Sequence, residues 1–173
     1  MIPKIAIVGP ESTGKSSLAK DLAAHYDLPW VEEYARKYLE NLARPYGQSD
    51  LIEIALGQLQ LEEKLLANNP SFLICDTNLL VIKIWSEFKY GNADPALEEL
   101  YNFEEYRHYF LCDTDIAWSF DPLREHPEQR VELFNIYHHS LRQLGLSFSI
   151  IRGTKEERLK FAVSEINQRI LAK

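Results

Sequence analysis

Gly9-Pro-Glu-Ser-Thr-Gly14-Lys15-Ser16 satisfies the pattern G-x-x-x-x-G-K-[ST], and nothing else in the 173 residues restricts the fold as tightly. The apolar run Lys4–Val8 leads into it, and a segment with helical spacing leaves it, with Leu18, Leu22 and Tyr26 on one stripe. A loop of this kind needs glycine where the backbone must wrap closely, so that its amides converge on an anion. The helix N-terminus adds its positive dipole end, Lys15 adds a point charge, and the Ser16 hydroxyl can hold Mg²⁺. The expected cradle comprises Gly9, Glu11, Ser12, Thr13, Gly14, Lys15, Ser16 and Ser17, with a nucleoside triphosphate as its ligand.

The rest of the chain is arranged to suit that loop. Four further short apolar runs, Trp30–Val31, Phe72–Cys75, Tyr109–Cys112 and Ser147–Ile151, read as strands buried on both faces. Helical segments alternate with them. One is expected to start at Asp50 and stop at Asn69-Pro70. Another opens at the capping box Thr154-Lys-Glu-Glu157 and buries Leu159, Ala162, Ile166 and Ile170. This alternation predicts one α/β domain over residues 1–173, a three-layer sandwich on a five-stranded parallel sheet. The polar stretch 92–107 is expected to form solvated helices, and 113–145 to begin with an irregular Asp-Thr-Asp-Ile-Ala-Trp run and become a charged helix pair.

With 26 Asp+Glu against 19 Lys+Arg the formal charge is −7, which argues against nucleic acid or an anionic membrane surface as a partner. The longest apolar candidate for a span, Leu79 to Phe88, is interrupted by Lys83 and Glu87. Cys75 and Cys112 each end an apolar run and read as free buried thiols. A functional loop beginning at Gly9 leaves no length for a secretion leader, so a cytoplasmic setting is expected.

The companions of the loop decide the reaction. A hydrophobic strand ending in an acid can hold a metal's water shell, and Phe72-Leu-Ile-Cys-Asp76 is such a strand, followed by Thr77 rather than by a second acid. Neither Asn-Lys-x-Asp nor Asp-x-x-Gly occurs, which shifts the weight away from a GTPase switch. Phosphate transfer to a small bound acceptor fits better. Glu33-Tyr34-Ala-Arg36 follows the second strand at the carboxyl end of the sheet, where open α/β folds bind ligands. Arg124 and Arg130 are candidates for the migrating charge, with ordinary surface arginines as the alternative; a break at His126-Pro127 would let both face the phosphates. Trp85 and Trp118 are either stacking platforms for a flat ring or core fillers.

Taken in order, Gly9-x-Glu11-Ser-x-Gly-Lys-Ser, Glu33-Tyr34-x-Arg36, Ala55-Leu-Gly57-Gln58, Cys75-Asp76-Thr77, Lys83-Ile-Trp85-Ser-Glu87 and Trp118-x-x-Asp121-x-Leu-Arg124 resemble the ribosylnicotinamide kinase domain of NadR-type proteins. The resemblance implies a P-loop nucleoside/nucleotide kinase fold with a helical lid, placed at about 114–143. It also implies ATP- and Mg²⁺-dependent phosphorylation of nicotinamide riboside to nicotinamide mononucleotide. It assigns Asp121, Arg124 and Arg130 to the lid, sets Arg152 beside the adenine, and adds Tyr34, Arg36, Gln58, Trp85 and Trp118 to the acceptor side. NadR-type proteins usually carry an adenylyltransferase domain ahead of this one, yet no His-x-Gly-His occurs here, and Asn78 stands where an acid often follows Asp-Thr.

The expected mechanism has Ser16 and Asp76 holding Mg²⁺, with Lys15, Arg124 and Arg130 stabilising the equatorial oxygens. Glu33 or Asp76 orients or deprotonates the acceptor hydroxyl, Glu33 being preferred because Asp76 has the metal. The alternatives are a kinase for another small nucleoside or nucleotide, and a non-catalytic ATP-binding regulatory module. A hydrolysing ATPase of the AAA+ type would need more chain and an arginine from a neighbour.

Overall fold

The computed structural model describes residues 2–172. Five strands, β1 (Lys4–Val8), β2 (Trp30–Val31), β3 (Leu73–Asp76), β4 (Tyr106–Cys112) and β5 (Phe148–Ile151), form one sheet in the order β2-β3-β1-β4-β5. Every neighbouring pair is parallel, so each connection must cross a face of the sheet. In the middle lies β1, with Ile5, Ala6, Ile7 and Val8 fully buried, as a strand covered on both faces requires.

One face is covered by α1 (Lys15–Tyr26) and α7 (Lys155–Ile166), whose Leu18, Leu22, Ala162 and Ile166 pack with Ile5, Ile7, Ile74 and Phe110. The other is covered by α3 (Gln48–Leu66), α4 (Leu79–Tyr90) and α6 (Arg130–Gln143), and α2 (Tyr34–Glu40) joins α3 in a third cluster around Leu51 and Ile54. Each fully buried Leu or Ile contributes about 1.5–3 kcal/mol over exposure, which makes these stripes the dominant stabilising term. Cys75 and Cys112 are free and buried in opposite layers. No helix among the described residues is long and apolar enough to cross a membrane.

Strands β3 and β5 shift by one residue from the sequence expectation, and four other differences have a visible physical reason. The helix expected from Asp50 begins at Gln48; Asp50 occupies its third position and accepts the Gly47 amide at 2.7 Å, closing a capping box. The last helix gives way after Ile166 to a wider turn, Asn167–Leu171, which carries Ile170. The stretch 92–107 is not a set of solvated helices: only α5 (Pro95–Glu98) and a 3₁₀ turn (Phe103–Glu105) form, and Leu97 of α5 is buried against α3. Strand β4 extends back to Tyr106 because its polar side chains find partners, Tyr106 donating to Glu62 at 2.6 Å and His108 meeting Ser147 and Ser149 at 2.8 and 3.0 Å.

The expected charged helix pair is a single helix. From 113 to 129 the chain is irregular, since Pro122 and Pro127 supply no amide and Asp121 turns the backbone locally by accepting the Leu123 N–H at 3.0 Å. From Arg130 onward it is α6, whose Leu133, Tyr137 and Leu141 belong to the core, so of the range 114–143 only the first half forms a flap over the loop.

Candidate active site

The glycine-rich loop hangs from β1 with its geometry fixed by contacts that only glycine allows. Gly9 has φ +135°, and a Cβ there would lie 2.8 Å from the Cys112 carbonyl on β4. Inside the loop Ser12 also takes a positive φ, +56°. Thr13 is completely buried and donates to the Pro10 carbonyl at 2.7 Å; Lys15 arches over the loop to the same oxygen at 2.9 Å. Gly14 then precedes α1, so the first amides of that helix face the cradle.

Asp76 ends β3 directly behind α1. It is 1% exposed, and its Oδ1 has no hydrogen-bond partner among the described residues. Burial pushes its pKa up to about 6; the Glu33 carboxylate pushes the same way, while the Ser16 hydroxyl and the Lys15 and Lys20 ammonium groups oppose it. The next residue, Thr77, sits at φ +71°, a rare conformation for a β-branched side chain and one that commonly marks a functional site. Asn78 is structural here: its Oδ1 accepts the Leu80 amide and caps α4, and its Nδ2 donates to the Tyr109 hydroxyl.

A cleft of about 310 Å³ runs from this loop toward α4 and the flap, at the lower end of the range for ligand sites. Gly9 to Ser17 form one wall. Glu33, Arg36, Trp85, Phe88, His126 and Tyr137 form the rest, together with Arg124 and Glu125. An anion cradle and an aromatic, carboxylate-bearing wall therefore share one space.

The flap is clasped shut from several sides. The Glu11 carboxylate accepts the backbone amides of Glu125 and His126 at 3.0 and 3.1 Å. Asp121 pairs with Arg36 at 3.0 Å, and the Leu123 amide holds its carboxyl below the usual range. Glu125 meets Lys89 at 3.0 Å and accepts from the Tyr46 hydroxyl, which in turn receives the Trp85 Nε1–H at 3.0 Å. Arg130 donates to the Ser12 and Ile116 carbonyls at 2.8 Å, and Arg124 to the Ser12 hydroxyl at 3.4 Å. Both guanidinium groups lie 5.9 Å from the Trp118 ring. Burial and the neighbouring Arg124 charge both weaken Arg130's hold on its proton, as expected where two cations wait beside an anion site.

The structure thus brings Lys15, Ser16, Glu33, Asp76, Arg124 and Arg130 around one loop, and sets Arg36 and Trp85 on the cleft wall. Four predicted residues lie elsewhere. Arg152 is exposed and pairs with Asp113; Trp118 braces the arginines; Tyr34 opens α2 and Gln58 sits on α3 against it, both outside the cleft. Sequence reasoning also missed two residues. Arg158 is 2% exposed, donates to the Thr13 carbonyl at 2.7 Å and to Gly153 at 2.9 Å, and pairs with Asp115, fastening the loop from below. Its signal was present, an arginine four residues before Ala162 and eight before Ile166 on a buried stripe. His126, whose Nε2 is buried with no partner among the described residues, had no signal at all.

Comparison with known proteins agrees with this architecture. The profile of a family described as AAA domain matches residues 4–158. The trifunctional NAD biosynthesis/regulator protein NadR of Salmonella typhimurium is 31% identical over 130 residues, 69% of this chain and 30% of the relative, so the chain spans about a third of that protein. A crystal structure of NadR protein in complex with NR superposes with a TM-score of 0.80 at 19% identity, over 99% of this chain and 52% of that one. Deoxyadenosine kinase from M. mycoides with bound dATP gives 0.56 at 16% identity, over 95% and 99%. At such identities the likeness shows the fold: a P-loop α/β sandwich of the kind that nucleoside kinases use.

Proposed function

The chain belongs to the AAA domain family, and from that premise we propose that it is an ATP-dependent kinase whose acceptor is nicotinamide riboside and whose product is nicotinamide mononucleotide. The observation that carries the reading is the single cleft in which the phosphate loop faces Glu33, Arg36, Trp85 and Phe88. Nicotinamide riboside has a flat cationic ring. An aromatic wall carrying carboxylates suits such a ring, whereas the amides and Lys15 suit a polyanion. The resemblance to NadR-type proteins supports the choice of acceptor.

In this mechanism ATP lies with its triphosphate along residues 9–17. Lys15, Arg124 and Arg130 balance the charge spread over the transferring group's oxygens, and Glu33 orients the primary hydroxyl and takes its proton. The flap 114–129 excludes water. Ser16 and Asp76 fit a Mg²⁺ ion, because an unpartnered carboxylate oxygen with a raised proton affinity is an anion lacking its cation. When bound, that ion would neutralise charge on the nucleotide.

A panel assay tests the proposal: ATP with nicotinamide riboside, deoxyadenosine, nucleoside monophosphates, or no acceptor, with products separated by chromatography. Nicotinamide mononucleotide should form at the highest kcat/KM. ADP released equally without acceptor would overturn the reading, and turnover of deoxyadenosine alone would redirect it to that nucleoside class. Glu33→Gln should lower kcat roughly 10²–10⁴-fold with little change in nucleoside KM.

A further inference from the structure

We infer that Gln58 is a positioning residue: from α3 it holds the first amide of helix α2, and so fixes the backbone that presents the Glu33 carboxylate to the cleft. The inference rests on the reading of Glu33 given above.

A helix start leaves amides without partners; a capping side chain takes the second or third of them, and the first needs an acceptor from elsewhere. Glu33 stands at the capping place of α2, in extended conformation, and makes no side-chain bond there. The Tyr34 amide, the first of the helix, donates to Gln58 Oε1 at 2.9 Å, from a side chain 24 residues further along. Gln58 is 1% exposed and does not line the cleft, so it acts on the helix and not on a ligand.

Two neighbours hold the arrangement. At Gly57 an added Cβ would be driven into the Tyr34 ring, so glycine lets α2 sit directly on α3. One turn on, the Tyr38 hydroxyl donates to Asp50 at 2.7 Å. Glu33, whose peptide link to Tyr34 this bond fixes, lines the cleft close enough to Asp76 to raise that group's proton affinity.

An ordinary packing role does not explain the amide. Gln58 Nε2 is buried with no partner among the described residues, and an orphan donor destabilises the fold. A methionine would fill the volume without that penalty. What it cannot supply is the acceptor oxygen.

The test compares Gln58→Met, which keeps the volume but loses the acceptor, with Gln58→Glu, which keeps an acceptor at the helix start. Each is made alone and with Glu33→Gln, and kcat, acceptor KM, melting temperature and exchange of the Tyr34 amide are measured. Gln58→Met should speed Tyr34 exchange, leave the melting temperature little changed because the orphaned Tyr34 amide offsets the removed orphan Nε2, and lower kcat roughly 10–100-fold, less than the full loss of an acid or base. Gln58→Glu should restore kcat to within a few-fold. With Glu33→Gln present, Gln58→Met should cost nothing further. Multiplying losses in the double variant would overturn the inference, as would unchanged kcat despite faster Tyr34 exchange. If Glu33→Gln alone leaves kcat intact, the assignment of Glu33 falls, and Tyr34 exchange still reports separately on the cap.

Discussion

Replacing Asp76 by Asn should make the metal-free protein more stable while abolishing its turnover. Asp76 is 1% exposed, and burial, reinforced by Glu33, raises its pKa from 3.8 to about 6 against the pull of Ser16, Lys15 and Lys20. The native state therefore holds this proton more tightly than the unfolded chain does. Between about pH 4 and 6 the folded protein carries the extra proton, so its stability falls as pH rises through that window and stays lower above it. Two pH units at 1.36 kcal/mol each put the ionised carboxylate's penalty at about 3 kcal/mol. Asn removes the ionisation and keeps the shape. Urea melts in chelator from pH 4 to pH 8 should show Asp76→Asn equal to the wild type at the acid end and about 3 kcal/mol more stable at the alkaline end. That difference is worth roughly 6–12 °C in Tm for a chain of this size. A gap that does not change with pH, or a variant less stable than wild type at pH 8, would refute the reasoning. Retained kinase turnover would remove Asp76 from the mechanism.

Other perturbations probe the remaining parts. Lys15→Ala should abolish ATP-dependent turnover with the circular dichroism spectrum unchanged, because the ammonium group rests on the Pro10 carbonyl and supports no core contact. Arg130→Ala should lower kcat roughly 10²–10³-fold, as loss of a single charge-stabilising donor does elsewhere. It should also cost stability by leaving the Ser12 and Ile116 carbonyls unpaired, whereas Arg124→Ala should affect kcat alone. Calorimetry alongside steady-state kinetics separates these two effects. His108, 1% exposed, has its pKa lowered to about 4, first by burial and then by Arg169. The unfolded chain takes up that proton first, so stability is lost as pH falls from about 6.5 to about 4, and His108→Gln should flatten that acid limb in urea melts.

Much of the fold was legible because its signals are local. The five apolar runs became the five strands, and β1 and β2 kept their bounds, since burial on both faces demands continuous hydrophobic residues wherever a parallel strand lies. Legibility failed where a polar residue was buried on the strength of a distant partner. Tyr106 and His108 look like loop until Glu62, Ser147 and Ser149 stand beside them. Beyond the irregular run 113–118 the sequence suggests a helix, but two prolines and the Asp121 turn prevent it before Arg130.

The candidate site divides in the same way. Gly9 to Ser17, Glu33 and Asp76 follow from the sequence alone, because a phosphate cradle, a helix start and a strand ending in an acid are each written within a few consecutive residues. Tertiary structure alone decided that Arg130 reaches Ser12 across 118 residues, that Arg158 fastens Thr13 across 145, and that Gln58 holds the Tyr34 amide across 24. It also set Trp118 against the arginines and Arg152 outside the cleft. Local patterning controls which way a side chain leaves its own element; its partner is chosen only when helices from both ends of the chain close on the same edge of the sheet.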